Sequence, residues 1–172
     1  MMRRLAPILI VFLVALLAGC DGGNDEASTQ PPPATTTSET GRAALERAVR
    51  TALSENRRLS VYVLWNNRIP RWAERSTRGP ALASLRAAAV NREKQGVRVR
   101  MLSNQREILS LHLDPSYARA TAIIRDRQRV QPSRRNGARI GRATKLNERA
   151  RYELRRVGRA DRFIVWRVVL LR

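Results

Sequence analysis

Side chains able to do chemistry are scarce in this chain of 172 residues, which holds one cysteine, one histidine and 14 acidic residues against 34 lysines and arginines. The lone thiol, Cys20, cannot form an internal disulfide. His112 has no second histidine or cysteine with which to build a metal site, and none is expected. No glycine-rich phosphate loop, nucleophile elbow or Cys/His cluster occurs. The carboxylates therefore carry the question. Alternation along the strands set out below places Glu107, Asp126 and Glu148 on the inner face of a sheet, with Ser103, Gln105, Gln128 and Thr144 beside them. Buried carboxyls have raised pKa values and can act as general bases. In a chain this rich in arginine, an ion pair is the commoner fate of such a group.

The elements that must position these residues begin near residue 41. Leu45, Val49, Ala52, Leu59 and Val63 recur mostly at three- and four-residue steps and predict a helix from Ala43 to about Trp65, broken by Asn66, Asn67 and Pro70. Arg71 to Ser76 can add one turn. Gly79 and Pro80 open a second helix with Leu82, Leu85 and Ala89 on one face, closed by Gly96. Beyond Gly96 the period drops to two. Val97, Val99 and Met101, then Leu109, Leu111 and Leu113, share odd parity and predict one strand whose inner residues are odd-numbered, unless a turn near Asn104 divides it. His112 falls on the outer parity. Asp114-Pro115-Ser116 turns the chain into a second strand, Tyr117 to Val130, with Ala118, Ala120, Ala122 and Ile124 inward. Pro132 to Gly137 reads as a loop, and a third strand from about Arg139 to Val157 carries Leu146, Ala150, Tyr152 and Leu154 inward. The last strand, Arg162 to Leu171, is apolar on both faces and should be central or covered. The order predicts an α+β domain, two N-terminal helices packed on a curved four-stranded antiparallel meander sheet.

Outward positions on the same strands belong to Arg119, Arg125, Arg127, Arg129, Arg149, Arg151 and Arg155, a basic surface. Thirty-two of the 34 basic residues and ten of the 14 acidic ones follow residue 40, leaving residues 41–172 with a net +22. These 132 residues suffice for one domain. Residues 20–40 are an acidic, Gly-, Pro-, Thr- and Ser-rich spacer that cannot build a core. Before it stand Arg3 and Arg4 and an apolar run from Leu5 to Ala18, interrupted only by Pro7, the layout of a secretory signal in residues 1–19. At under about 20 residues the run is short for a spanning helix. Secretion would separate the domain from nucleic acid and leave anionic lipid head groups or acidic wall polymers as its counterparts, each arginine near a membrane contributing up to about 1 kcal/mol.

Leu17-Ala18-Gly19-Cys20 resembles the lipobox of bacterial lipoproteins. That resemblance implies a diacylglyceryl group on the Cys20 thiol and cleavage between Gly19 and Cys20, so that the mature chain is held at the extracytoplasmic side of the cell membrane by a covalent lipid and no other cofactor. Asp21 resembles an inner-membrane retention signal where the envelope has two membranes. The C-terminal half, with Tyr152-Glu153-Leu154, the turn Gly158 to Asp161, and Phe163 or Trp166, resembles the nuclear transport factor 2-like superfamily; a cystatin-like sheet wrapped on a helix would leave a similar trace. The resemblance implies a cone with a pocket at its open end, and a noncatalytic ligand- or partner-binding module is the first expectation. A basic module binding anionic lipid or wall polymer is the second. Isomerases and dehydratases of the superfamily use an inward Asp with a Tyr or His, which here implies Asp126 as base and Tyr62 as proton donor in a pocket with Glu107, Gln128 and Glu148.

Overall fold

A computed structural model describes residues 39–158 and 161–171. The expected signal segment, Gly19, Cys20 and the spacer as far as residue 38 lie outside the described residues, whereas the last two spacer residues, Glu39 and Thr40, are helical. Helix α1 runs from Glu39 to Asn66, a 3₁₀ turn from Ala73 to Arg75, and α2 from Gly79 to Lys94. Four strands follow: β1 (Val97–Leu113), β2 (Arg119–Arg134), β3 (Thr144–Arg156) and β4 (Phe163–Leu171). They form one antiparallel sheet in the order β1-β2-β3-β4, a meander. The domain is thus α+β, with both helices ahead of the sheet.

The helical period on α1 buries Leu45, Val49, Ala52 and Leu53 against Ala120, Ala122 and Ile124 of β2, Ala150, Tyr152 and Leu154 of β3, and Phe163 and Val165 of β4. Small residues on β2 admit the helix closely, and each large side chain buried here contributes about 1.5–3 kcal/mol. A second cluster joins Leu59 and Val63, further along α1, to Ala73, Leu82 and Ala89. Contacts of α1 reach both edge strands, β1 and β4.

Two expectations are corrected and one is narrowed. The expected strand parity fails in the middle of β1, where the pairing with β2 slips by one residue between Met101 and Ser103 and again between Ile108 and Ser110. Each β-bulge exchanges the two faces. Val99 and Leu113 point inward as expected, but between the bulges Asn104, Arg106 and Ile108 turn inward, while Ser103, Gln105 and Glu107 are exposed on the outer face. Secondly, of the two alternatives for β4, central or covered, the second holds, for β4 is an edge strand. Its edge is covered: Thr77 bridges Val165 in parallel, the Val165 N–H donates to the Ser76 carbonyl at 2.8 Å and the Arg78 N–H to the Val165 carbonyl at 3.0 Å. Thirdly, Pro132 lies within β2, and β3 starts at Thr144, not Arg139. β3 ends its pairing at Val130↔Thr144, so beyond that point β2 has β1 on one side and only the isolated bridge Ser133↔Arg139 on the other, and it tolerates a proline. There β1 and β2 continue as a two-stranded ribbon, from Met101↔Val130 to Val97↔Arg134.

Candidate functional site

The bulges bring an arginine to the inner face opposite an aspartate. Arg106 Nε donates to Asp126 Oδ1 at 2.8 Å and its Nη2 to Oδ2 at 2.7 Å, a fork-to-fork pair in which both side chains are about nine-tenths buried. Nη1 donates to the Leu53 carbonyl of α1 at 3.1 Å and Nη2 to the Tyr152 hydroxyl of β3 at 3.1 Å, with the guanidinium 5.3 Å from the Tyr152 ring centre. One side chain therefore fastens β1 to β2, β3 and α1. Burial acts to lower the Arg106 pKa, but its hydrogen bond to Asp126 and the neighbouring Tyr152 outweigh that and hold it above its ordinary value. Tyr152 is raised, first by burial. Removing one partner of a buried pair such as Arg106–Asp126 costs about 3–5 kcal/mol, because the other is left charged without compensation.

Glu148 stands directly across from Asp126 on β3, facing inward and half-buried. Burial, and then the charge of Asp126, raise its pKa above the usual carboxylate value. Gln128 is two residues along β2 on the same face, partly buried, whereas Thr144 is exposed. Glu107 lies on the opposite face, where it meets Arg125 at 3.5 Å, because the first bulge precedes it. Tyr62 lies nine residues beyond Leu53 on α1, about 13 Å along the helix axis. Its ring meets Trp72 edge-on at 6.0 Å between centres, and its hydroxyl accepts from Arg68 Nε at 3.3 Å. It lines a separate open groove with Ser54, Arg57 and Trp72. The structure thus joins Asp126 to Glu148, leaves Tyr62 and Glu107 elsewhere, and adds Arg106 and Tyr152. Tyr152 was legible as a buried residue; Arg106 was hidden by the bulges.

The outer face carries the basic residues. Arg119, Arg127, Arg129, Arg149, Arg151 and Arg155 are exposed and Arg125 is partly so. The register sets like charges directly opposite one another in three places, Arg119↔Arg155, Arg125↔Arg149 and Arg129↔Lys145. Acidic relief on this face comes from Glu107 beside Arg125 and from Glu153, 3.2 Å from Arg151; Arg155 instead stacks 3.9 Å over the Trp166 ring. His112 is exposed, and no cluster of three or more metal-ligating side chains occurs among the described residues. Among the same residues no helix is long and apolar enough to cross a membrane.

Two helices preceding a four-stranded antiparallel sheet define the class as a small α+β domain. No protein-family model matches the chain, and no curated protein matches it. Among solved structures, the intermembrane space region of the chloroplast protein ARC6 is similar with a TM-score of 0.61 and 11% identity, over 73% of this chain and 95% of that one. Two structures from Catenulispora acidiphila, one of them in complex with S-DNPA, align with a TM-score of 0.42 at 18% identity, over 77% and 74% of this chain and 95% and 92% of theirs. The ARC6 likeness is one of fold alone; the other two add nothing to it.

Proposed function

We propose that this protein is a noncatalytic lipoprotein, tethered through lipidated Cys20, whose basic sheet face holds the anionic lipid or wall polymer next to which the tether keeps it. The observation that carries the reading is the row of like-charge pairs. Directly opposed like charges destabilise a sheet. A face that keeps three of them, Arg119↔Arg155, Arg125↔Arg149 and Arg129↔Lys145, gives up stability that an external polyanion would restore. The net +22 of residues 41–172 acts in the same direction. For the fold we propose a cone of the nuclear transport factor 2-like kind, since a sheet whose two edge strands both touch α1 must curl about that helix. An isomerase or dehydratase reading is disfavoured by the clamp: Arg106 occupies both oxygens of Asp126, and Tyr62 is remote from it.

The full chain extracted from membranes in nonionic detergent tests both halves of the proposal. Its intact mass is expected to correspond to a chain starting at Cys20 with a diacylglyceryl group, which a Cys20→Ala variant lacks. Titrated with long-chain polyphosphate, it should bind with an affinity that falls more than tenfold between about 0.05 M and about 0.2 M NaCl. Changing Arg119, Arg125, Arg127, Arg149 and Arg151 together to Ser should weaken binding at least tenfold and flatten the salt dependence. Salt-independent binding, or an unmodified cysteine, would contradict the corresponding half.

A further inference from the structure

Next to the face just described, and sharing Arg129 with it, the ribbon of β1 and β2 carries a cleft of about 500 Å³, lined also by residues of the loop from Gly137 to Ala143 and by Trp65 near the end of α1. We propose that this cleft binds a phosphomonoester whose ester group is aromatic or otherwise apolar. The charge argument comes first. Arg100, Arg129, Arg139 and Arg142 line the cleft, no carboxylate does, and none of the four guanidiniums has an ion-pair partner among the described residues. Arginine forks match phosphate oxygens two at a time, and a dianionic phosphate can occupy more than one fork where a carboxylate fills one. Arg98 stands on β1 next to the cleft residues. It shares the Arg100 face of β1 and sits directly across from Ser133, a cleft residue, yet its buried Nε has no acceptor. A buried donor without a partner next to a basic cleft adds positive potential to it.

The apolar half of the ligand follows from two other lining residues. Trp65 and Leu102 are 40% and 46% exposed, two large hydrophobic side chains held open to solvent among arginines. An indole and a leucine lining one cleft offer apolar surface for a ring or a short hydrocarbon, so the site suits a ligand with one charged and one apolar end. The cleft is also preformed. Buried Gln131 donates from Nε2 to the carbonyls of Pro132 at 3.0 Å and Gly141 at 3.2 Å, and the Ile140 N–H donates to the Pro132 carbonyl at 2.9 Å, which ties the loop to β2 without using any of the four arginines. Binding therefore costs little ordering of the loop.

The test is calorimetric titration of the full chain in nonionic detergent with phenyl phosphate, inorganic phosphate and phenol. Phenyl phosphate should bind one to one, at least tenfold more tightly than inorganic phosphate, and phenol should not bind. Arg139→Ser with Arg142→Ser should weaken phenyl phosphate at least tenfold. Arg139→Lys with Arg142→Lys, which keeps the charge and removes the forks, should also weaken it, and serves if the serine pair fails to fold. Trp65→Ala should abolish the preference for phenyl phosphate over inorganic phosphate. Phenyl phosphate binding no tighter than inorganic phosphate, more than one site per chain, or retention of affinity in the lysine pair would each overturn the proposal. None of these variants touches the five arginines of the outer-face test, so either proposal can fail alone.

Discussion

Glu148 and Asp126 face each other across β2 and β3, and only Asp126 is given a guanidinium. The difference has a thermodynamic signature. With its folded pKa raised by burial and by Asp126, Glu148 binds its proton more tightly in the native than in the unfolded chain. Its contribution to stability is therefore greatest when protonated, declines as pH rises from the unfolded carboxylate range through the raised folded value, and stays lowest above it. Glu148→Gln should accordingly stabilise the domain near pH 7 by about 0.2–1 kcal/mol, the scale of a cross-strand side-chain pair. The gain should shrink below about pH 4, where the unfolded glutamate too is largely neutral. Urea unfolding at the two pH values checks this, and an equal gain at both would show that the charge of Glu148 is not the cause. Arg106 works differently, since its four donated hydrogen bonds hold β1 in the register that lies between the two bulges. The inward placement of Asp126 and Glu148 was legible from alternation on β2 and β3, which run without a bulge through those residues. Their partner was not.

At the scale of elements, that failure has a specific cause. Two one-residue bulges in β1 cancel: Val97, Val99 and Met101 before the first and Leu111 and Leu113 after the second show the same parity, which conceals the inverted stretch between them. Helix periodicity suffered no such insertion, and the core face of α1 was readable from Leu45 to Val63. Nor could the sequence disclose how β4 is covered, because that depends on Thr77 and Gly79 meeting Val165 and Trp166 far along the chain. Gly79 has φ +57°, and a Cβ there would lie 2.8 Å from the Trp166 ring. Gly79→Ala should cost about 1–3 kcal/mol through backbone strain and overpacking together. Gly158 has a comparable φ of +68° in open space, so Gly158→Ala should cost only about 1 kcal/mol. Denaturant unfolding of the two variants separates the contributions, and equal losses would mean that Trp166 yields without cost.

For the whole molecule, composition spoke clearly: an excess of 22 positive charges after residue 40 was legible at once, though not the register that opposes arginine to arginine. Self-repulsion of this size makes stability depend on counterions. Raising NaCl from about 0.05 M to about 0.5 M shortens the screening length from roughly 14 Å to about 4 Å, and should raise the melting temperature by about 3–5 °C, equivalent to roughly 1 kcal/mol for a domain of this size. A flat or falling melting temperature in differential scanning calorimetry would count against the repulsion. The strap along β4 bears on something else, the timing of assembly. Where residues 76–78 pair with Val165, the Arg162 side chain also donates to the Arg75 carbonyl, a closure over 87 positions of sequence. Local helix formation cannot complete that contact, and loop closure over such a span is slow. The strap at residues 75–78 is therefore completed only once β4 has emerged, and a nascent chain that stops short of Val165 leaves this edge of the sheet and the start of α2 unjoined.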